Sequence, residues 1–153
     1  MTKKYLDSAV DNIRLYHTKF SPPSPKRSIA IIHGFGEHSG RFYEIARFFA
    51  TNGFEALLID LTGFGYSGGA RGCSTVEMMQ NDVITLLTQV RPELPLFMYA
   101  HSMGGLIVIK LLLQRPEIKV TGCIFTSPFL GLPSDRHFPK AKLWVVQQLG
   151  DDL

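Results

Sequence analysis

The sequence predicts an α/β fold on a mostly parallel sheet. Three observations carry this. Short apolar runs, IAIIH (29–33), FEALLID (54–60), PLFMYAHS (95–102) and VTGCIFTSP (120–128), have the length and composition of buried strands. Between them lie segments whose apolar residues recur at helical spacing. The two kinds of segment alternate, and alternation of strand and helix gives parallel strands joined by right-handed crossovers, with helices on both faces.

The elements follow in order. The first twenty residues, MTKKYLDSAVDNIRLYHTKF, are basic and contain no apolar stretch, so they do not read as a secretory signal. Within them, 11–20 alternates weakly and reads as a strand on the sheet edge. SPPSPKRS (21–28) is a Pro/Ser-rich turn. The unbroken apolar strand at 29–33 is expected to be buried on both faces, and GFGEHSG follows it as a loop. From 41 to 52 the residues Phe42, Ile45, Ala46, Phe48 and Phe49 share a helix face, with Gly53 as a natural stop. The strand at 54–60 leads into the glycine-rich loop LTGFGYSGGARG. Ser74 or Thr75 then caps a helix running to about Val90, with Glu77 placed for a capping box if Ser74 is the cap. Pro92 and Pro95 flank the next break. The strand at 95–102 runs into MGGLIVIKLLLQ (103–114), a helix with almost no polar face, and 120–128 is the fourth buried strand. Beyond it, FLGLPSDRHFP reads as loop and KAKLWVVQQLG as a short amphipathic helix. The chain therefore divides into a core over 1–132 and the start of a further region over 133–153.

Composition narrows the class. At 153 residues, with 45% hydrophobic and 19% charged residues, the chain is one domain's worth or less of an ordered globular protein. The net charge is +3, and the basic residues are scattered apart from Lys3–Lys4 and Lys26–Arg27, which is solvated surface charge rather than a nucleic-acid footprint. Cys73 and Cys123 form no CxxC or His/Cys ligand spacing, so no metal is expected. Cys123 sits in an apolar run and should pack as a small hydrophobe. No run approaches the ~18 apolar residues of a membrane span, and the expected location is cytoplasmic.

In such a sheet the site forms on loops at the carboxyl ends of the strands. Three loops stand there, after Ile32, Asp60 and Ala100. The third is the most specific: Ala100-His101-Ser102-Met103-Gly104 is small-x-Ser-x-Gly between a strand and a helix, the context of a nucleophile elbow. Residues two before and two after the serine approach each other in so sharp a turn, so only small side chains, Ala100 and Gly104, fit. The competing reading is that Ser102 merely caps the helix. Attack by Ser102 on a carbonyl creates an oxyanion that needs two fixed N–H donors. Met103 N–H and Phe35 N–H, the latter in His33-Gly34-Phe35-Gly36, are the candidates, with Gly34 and Gly36 letting the backbone approach. His33 and His101 flank these elements and read as structural histidines bonded to nearby backbone. The Asp60 loop lacks a phosphate-binding Lys-Ser/Thr ending; Asp60 should cap neighbouring backbone, and Ser67 should pack near the rim of the site.

HGFGEHSGRFYEIARFF, GFEALLIDLTGFGYSGGARG, YAHSMGG and FTSPFLGL, in this order, resemble the N-terminal half of an α/β-hydrolase of the monoacylglycerol lipase group, also described as serine aminopeptidase-like or lysophospholipase-like. The likeness runs from about residue 11 to 132. Thr62 stands where the group often has a basic or polar residue, and Ala100 replaces glycine. The resemblance implies Ser102 as nucleophile, Phe35 and Met103 as oxyanion donors, a small lipid ester as substrate, no cofactor, and a lid inserted after the strand at 120–126 through which membranes could be touched. It also implies that 133–153 begins that lid and that the fold is truncated before the last strands.

The order of the triad in this fold is serine, acid, histidine. Past Ser102 the chain offers His137 and the acids Glu117, Asp135, Asp151 and Asp152. Asp135 is too close in the chain to His137, and Glu117 precedes its strand, so neither acid nor base of a triad is expected in this chain. Three readings follow: half of a serine esterase, inactive alone; a non-catalytic acyl-binding remnant; or an acyltransferase or peptidase on the same scaffold.

Overall fold

The computed structural model describes residues 1–8 and 12–131. Strands β1 (Thr2–Asp7), β2 (Arg14–Phe20), β3 (Arg27–Ile32), β4 (Phe54–Ile59), β5 (Leu96–His101) and β6 (Gly122–Thr126) form one sheet in the order β1-β2-β4-β3-β5-β6. The last four in sequence, β3 to β6, are parallel to one another, and β1 and β2 run antiparallel at one side. Helix α1 (Tyr43–Thr51), preceded by a 3-10 turn at Ser39–Phe42, lies on one face; α2 (Val76–Leu87) and α3 (Met103–Gln114) lie on the other. This is the α/β architecture that the alternation predicts.

Alternate residues of β3 explain the two layers. Ile29 and Ile31 point with Ala56 and Leu58 of β4 toward Phe42 and Ala46. Ala30 and Ile32 point with Leu57 and Ile59 toward Met79, Val83 and Leu86 of α2 and Leu106, Ile107 and Leu111 of α3. A strand buried on both faces needs apolar residues at every position, and IAIIH supplies them.

Several expectations change. The strand at 11–20 begins at Arg14 and is interior, because β1 pairs with residues 14–19 and takes the edge. Thr2–Asp7 escapes the sequence pattern because it is exposed at nearly every position, so nothing selects for alternation there. The cap of α2 is Thr75, whose Oγ1 accepts from Met78 N–H at 3.1 Å, so the capping box does not form; the Ser74 hydroxyl instead donates to Thr62 C=O. Strands β5 and β6 are only partly buried, unlike β3 and β4. The region 133–153, including His137, Asp135, Trp144 and the expected amphipathic helix, lies outside the described residues.

Candidate active site

Ser102 joins β5 to α3 at φ 49°, ψ −116°, and its side chain makes no capping hydrogen bond. An N-cap has extended backbone and a bonded side-chain oxygen, so the capping reading fails. The turn is fixed by backbone: Ser102 N–H donates to Thr126 C=O at 3.0 Å, and Ser102 C=O accepts from Gly105 N–H at 2.9 Å and Phe129 N–H at 3.0 Å. A Cβ on Gly104 would come within 2.7 Å of the carbonyl oxygens of both Ile32 and His33, so only glycine lets α3 start against the end of β3. A Cβ on Gly105 would meet Pro128 at 2.8 Å. Ala100, two residues before the serine, is fully buried.

The first loop lies directly against this turn. A Cβ on Gly34 would stand 3.1 Å from Ser102 Cβ and 3.2 Å from His101 Cδ2. His33 is buried and committed at both nitrogens: Nε2 accepts from Leu61 N–H at 3.0 Å, which leaves Nδ1–H to donate to Gly34 C=O at 2.7 Å. Burial lowers its pKa, so the ring is held neutral. Glu37 N–H also reaches Gly34 C=O, at 3.3 Å. Gly34 C=O and Phe35 N–H belong to one planar trans peptide, so fixing the carbonyl fixes the direction of the Phe35 N–H. The Phe35 ring packs edge-on against Phe64, which packs against His33. Gly36 follows at φ 71°, a left-handed position suited to glycine.

The second loop is a buttress. Buried Asp60 accepts from Ser39 N–H at 2.6 Å and Tyr66 N–H at 2.8 Å, as its expected capping role requires. Ser67 is buried; it donates to Asp60 C=O and accepts from Tyr16 N–H at 2.8 Å, joining this loop to β2. Thr62 donates from both N–H and hydroxyl to buried Asp82 on α2. Burial pushes the Asp82 carboxyl up to about 6, against the pull of those two bonds.

His101 departs from expectation: its Nδ1 lies 3.0 Å from the Thr126 hydroxyl, a side-chain rather than a backbone partner. Its Nε2 is 4.0 Å from Glu37 Oε2. A cavity of about 290 Å³ opens here, lined by Glu37, Arg41, Phe42, Ile45, Tyr99, His101 and Thr126. Glu117 is exposed and paired with Arg115, remote in role from any triad. Phe129 packs against the core and Leu130 is exposed. Sequence reasoning passed over Glu37 and Thr126. Glu37 carried a usable signal, a carboxylate three residues past a loop glycine; Thr126 carried none, since β5–β6 register is a tertiary fact. Among the described residues no cluster of His, Cys, Asp and Glu could hold a metal ion, and no helix is long and apolar enough to cross a membrane.

A strained serine between a parallel strand and a helix, with a glycine loop pressed against it, is the arrangement found in α/β-hydrolases. The family described as serine aminopeptidase, S33, matches residues 23–153. The chain belongs to that family. It is 35% identical over 111 residues to the human monoglyceride lipase, covering 70% of this chain and 36% of that protein, and 34% identical over 110 residues to the phospholipase YtpA of Bacillus subtilis, covering 71% and 42%. The solved monoacylglycerol lipase of Paleococcus ferrophilus superposes with a TM-score of 0.71 at 32% identity, over 90% of this chain and 52% of that one. The chain thus spans between 36% and 52% of the lengths of these three proteins, and corresponds to an N-terminal portion of the family's chains.

Proposed function

We propose that this chain carries the nucleophile and oxyanion half of an ester hydrolase acting on acyl esters, with a small lipid ester as the substrate class. The observation that carries the reading is the backbone of Ser102, φ 49° at a strand–helix junction, with Gly34 against its Cβ. Ser102 Oγ attacks the ester carbonyl carbon as its proton passes to a base. The carbonyl oxygen, now an anion, rests between Met103 N–H and Phe35 N–H, aided by the N-terminus of α3. The C–O bond to the alcohol breaks, the alcohol leaves with the proton, and water then cleaves the acyl–serine ester. His33 is spent on backbone and His101 on Thr126, so in this reading base and acid come from outside the described residues. The names of the lipase and phospholipase relatives support an acyl substrate.

The test is labelling by a fluorophosphonate probe, read by mass spectrometry, on the 153-residue chain and on the longest product of its gene. A product that supplies the acid and the base should carry the adduct on Ser102, with loss of the adduct in Ser102→Ala. A product that lacks either should react slower by about 10³-fold or more. Labelling that survives Ser102→Ala sinks the reading.

A further inference from the structure

We propose that Glu37 is a positioning residue that orders the oxyanion loop, a role that rests on the hydrolase reading above. Glycine fits best at position 34, since a Cβ there would crowd Glu37, Ser102 and His101 at 3.0 to 3.2 Å. Glycine is also the residue whose backbone is least ordered by itself. Order at Gly34 therefore has to come from bonds to its two flanking peptides. The peptide that follows it is held by the His33 ring on the Gly34 C=O. The peptide that precedes it is held by Glu37, whose Oε2 accepts Gly34 N–H at 3.0 Å. Together they fix both backbone dihedrals of Gly34, and with them the aim of Phe35 N–H.

An ordinary surface ion pair does not account for Glu37. Its Oε1 does meet Arg41 Nε at 3.1 Å, four residues on, but the Glu37 side chain is only 14% exposed whereas that of Arg41 is 64% exposed. A carboxylate beside a developing oxyanion is also unfavourable by charge alone. Its place is justified by the bond it accepts, with Arg41 offsetting the charge. The useful feature is thus the acceptor oxygen and not the negative charge, which separates two substitutions. Glu37→Gln keeps an acceptor, whereas Glu37→Ala removes it.

The experiment has two arms. In the first, ¹⁵N relaxation is measured on the chain and both variants, with thermal melts as a control for folding. The Phe35 amide should be as rigid in wild type and Glu37→Gln as ordinary structured backbone, an order parameter of about 0.85, and should fall toward about 0.6 in Glu37→Ala. In the second, the longest product of the gene is labelled with a fluorophosphonate. Glu37→Ala should slow labelling of Ser102 by about 10- to 100-fold, somewhat less than deletion of an oxyanion donor, and Glu37→Gln should match or exceed wild type. The proposal is overturned if Glu37→Ala leaves Phe35 as ordered as before, or if Glu37→Gln loosens it equally, which would make the Arg41 pair the cause. A wild-type enzyme that does not label, with Phe35 order behaving as described, overturns the hydrolase reading and leaves the clamp standing.

Discussion

The two sides of the sheet are built differently. Strands β3 and β4 are sealed on both faces by α1, α2 and α3, with nearly every residue buried. Strands β5 and β6 are half open, and Ile124 in the middle of β6 is 43% exposed. The elbow stands on the seam between these regions. From the sealed side Gly104 seats α3 against the carbonyls of Ile32 and His33. From the open side Thr126 and Phe129 hold the backbone of Ser102. The sealed half supplies a rigid floor, and the strained turn is tied to the half with less packing of its own. Strain persists only where the surroundings over-determine it, and here the open half contributes backbone bonds in place of buried area.

Three measurements sharpen that contrast. The largest effect is expected from core truncation. Leu57→Ala in β4 should cost about 3 kcal/mol in denaturant unfolding, and Ile124→Ala in β6 roughly 0.5 kcal/mol; equal costs would mean that the open half is packed as tightly as the other. The next concerns pH. Asp82 ties the Thr62 loop to α2, and its carboxyl stands at about 6 against an ordinary 3.8. The native state therefore binds this proton more tightly than the unfolded one, so its contribution is full below 3.8 and declines as pH rises through about 6. Across that window the loss is about 3 kcal/mol at 1.36 kcal/mol per pH unit. Asp82→Asn keeps an acceptor for Thr62 N–H and removes the titration. Wild type minus variant stability should thus slope downward between those pH values, and a flat difference would show the carboxyl unperturbed. The smallest effect is at the elbow: Ser102→Gly should stabilise the chain by about 0.5–1 kcal/mol by relieving a left-handed serine, less glycine's greater unfolded freedom. Ser102→Ala should give no such gain, and equal stability of the two variants would show the turn unstrained.

Much of this arrangement is legible in the residues. The strands at 29–33 and 54–60 could be read because burial on both faces writes an unbroken apolar run. The elbow and the glycine loop could be read because their geometry forbids side chains, and small residues at fixed spacing record that. Less was legible where selection acts through backbone or through distant partners. Thr2–Asp7 pairs by main-chain bonds and shows most of its side chains to water, so its sequence carries no clear period. Thr75 outcompetes Ser74 as cap because the Ser74 hydroxyl is drawn to Thr62 C=O, a contact twelve residues away. Ser67 is a structural bolt to Tyr16, across fifty-one residues.

By itself the sequence determined the layer order, the parallel core and the serine on its turn, because each of these is a local rule: period, length, and room for a Cβ. Tertiary structure alone decided which groups serve the turn. His33 is neutral and spent on Gly34 and Leu61, His101 is turned to Thr126, and Glu37 is folded back on Gly34 N–H. Those assignments depend on the register of β3, β5 and β6 and on one loop closing over another. Hydrogen bonds are made by direction and distance, which no spacing along the chain records.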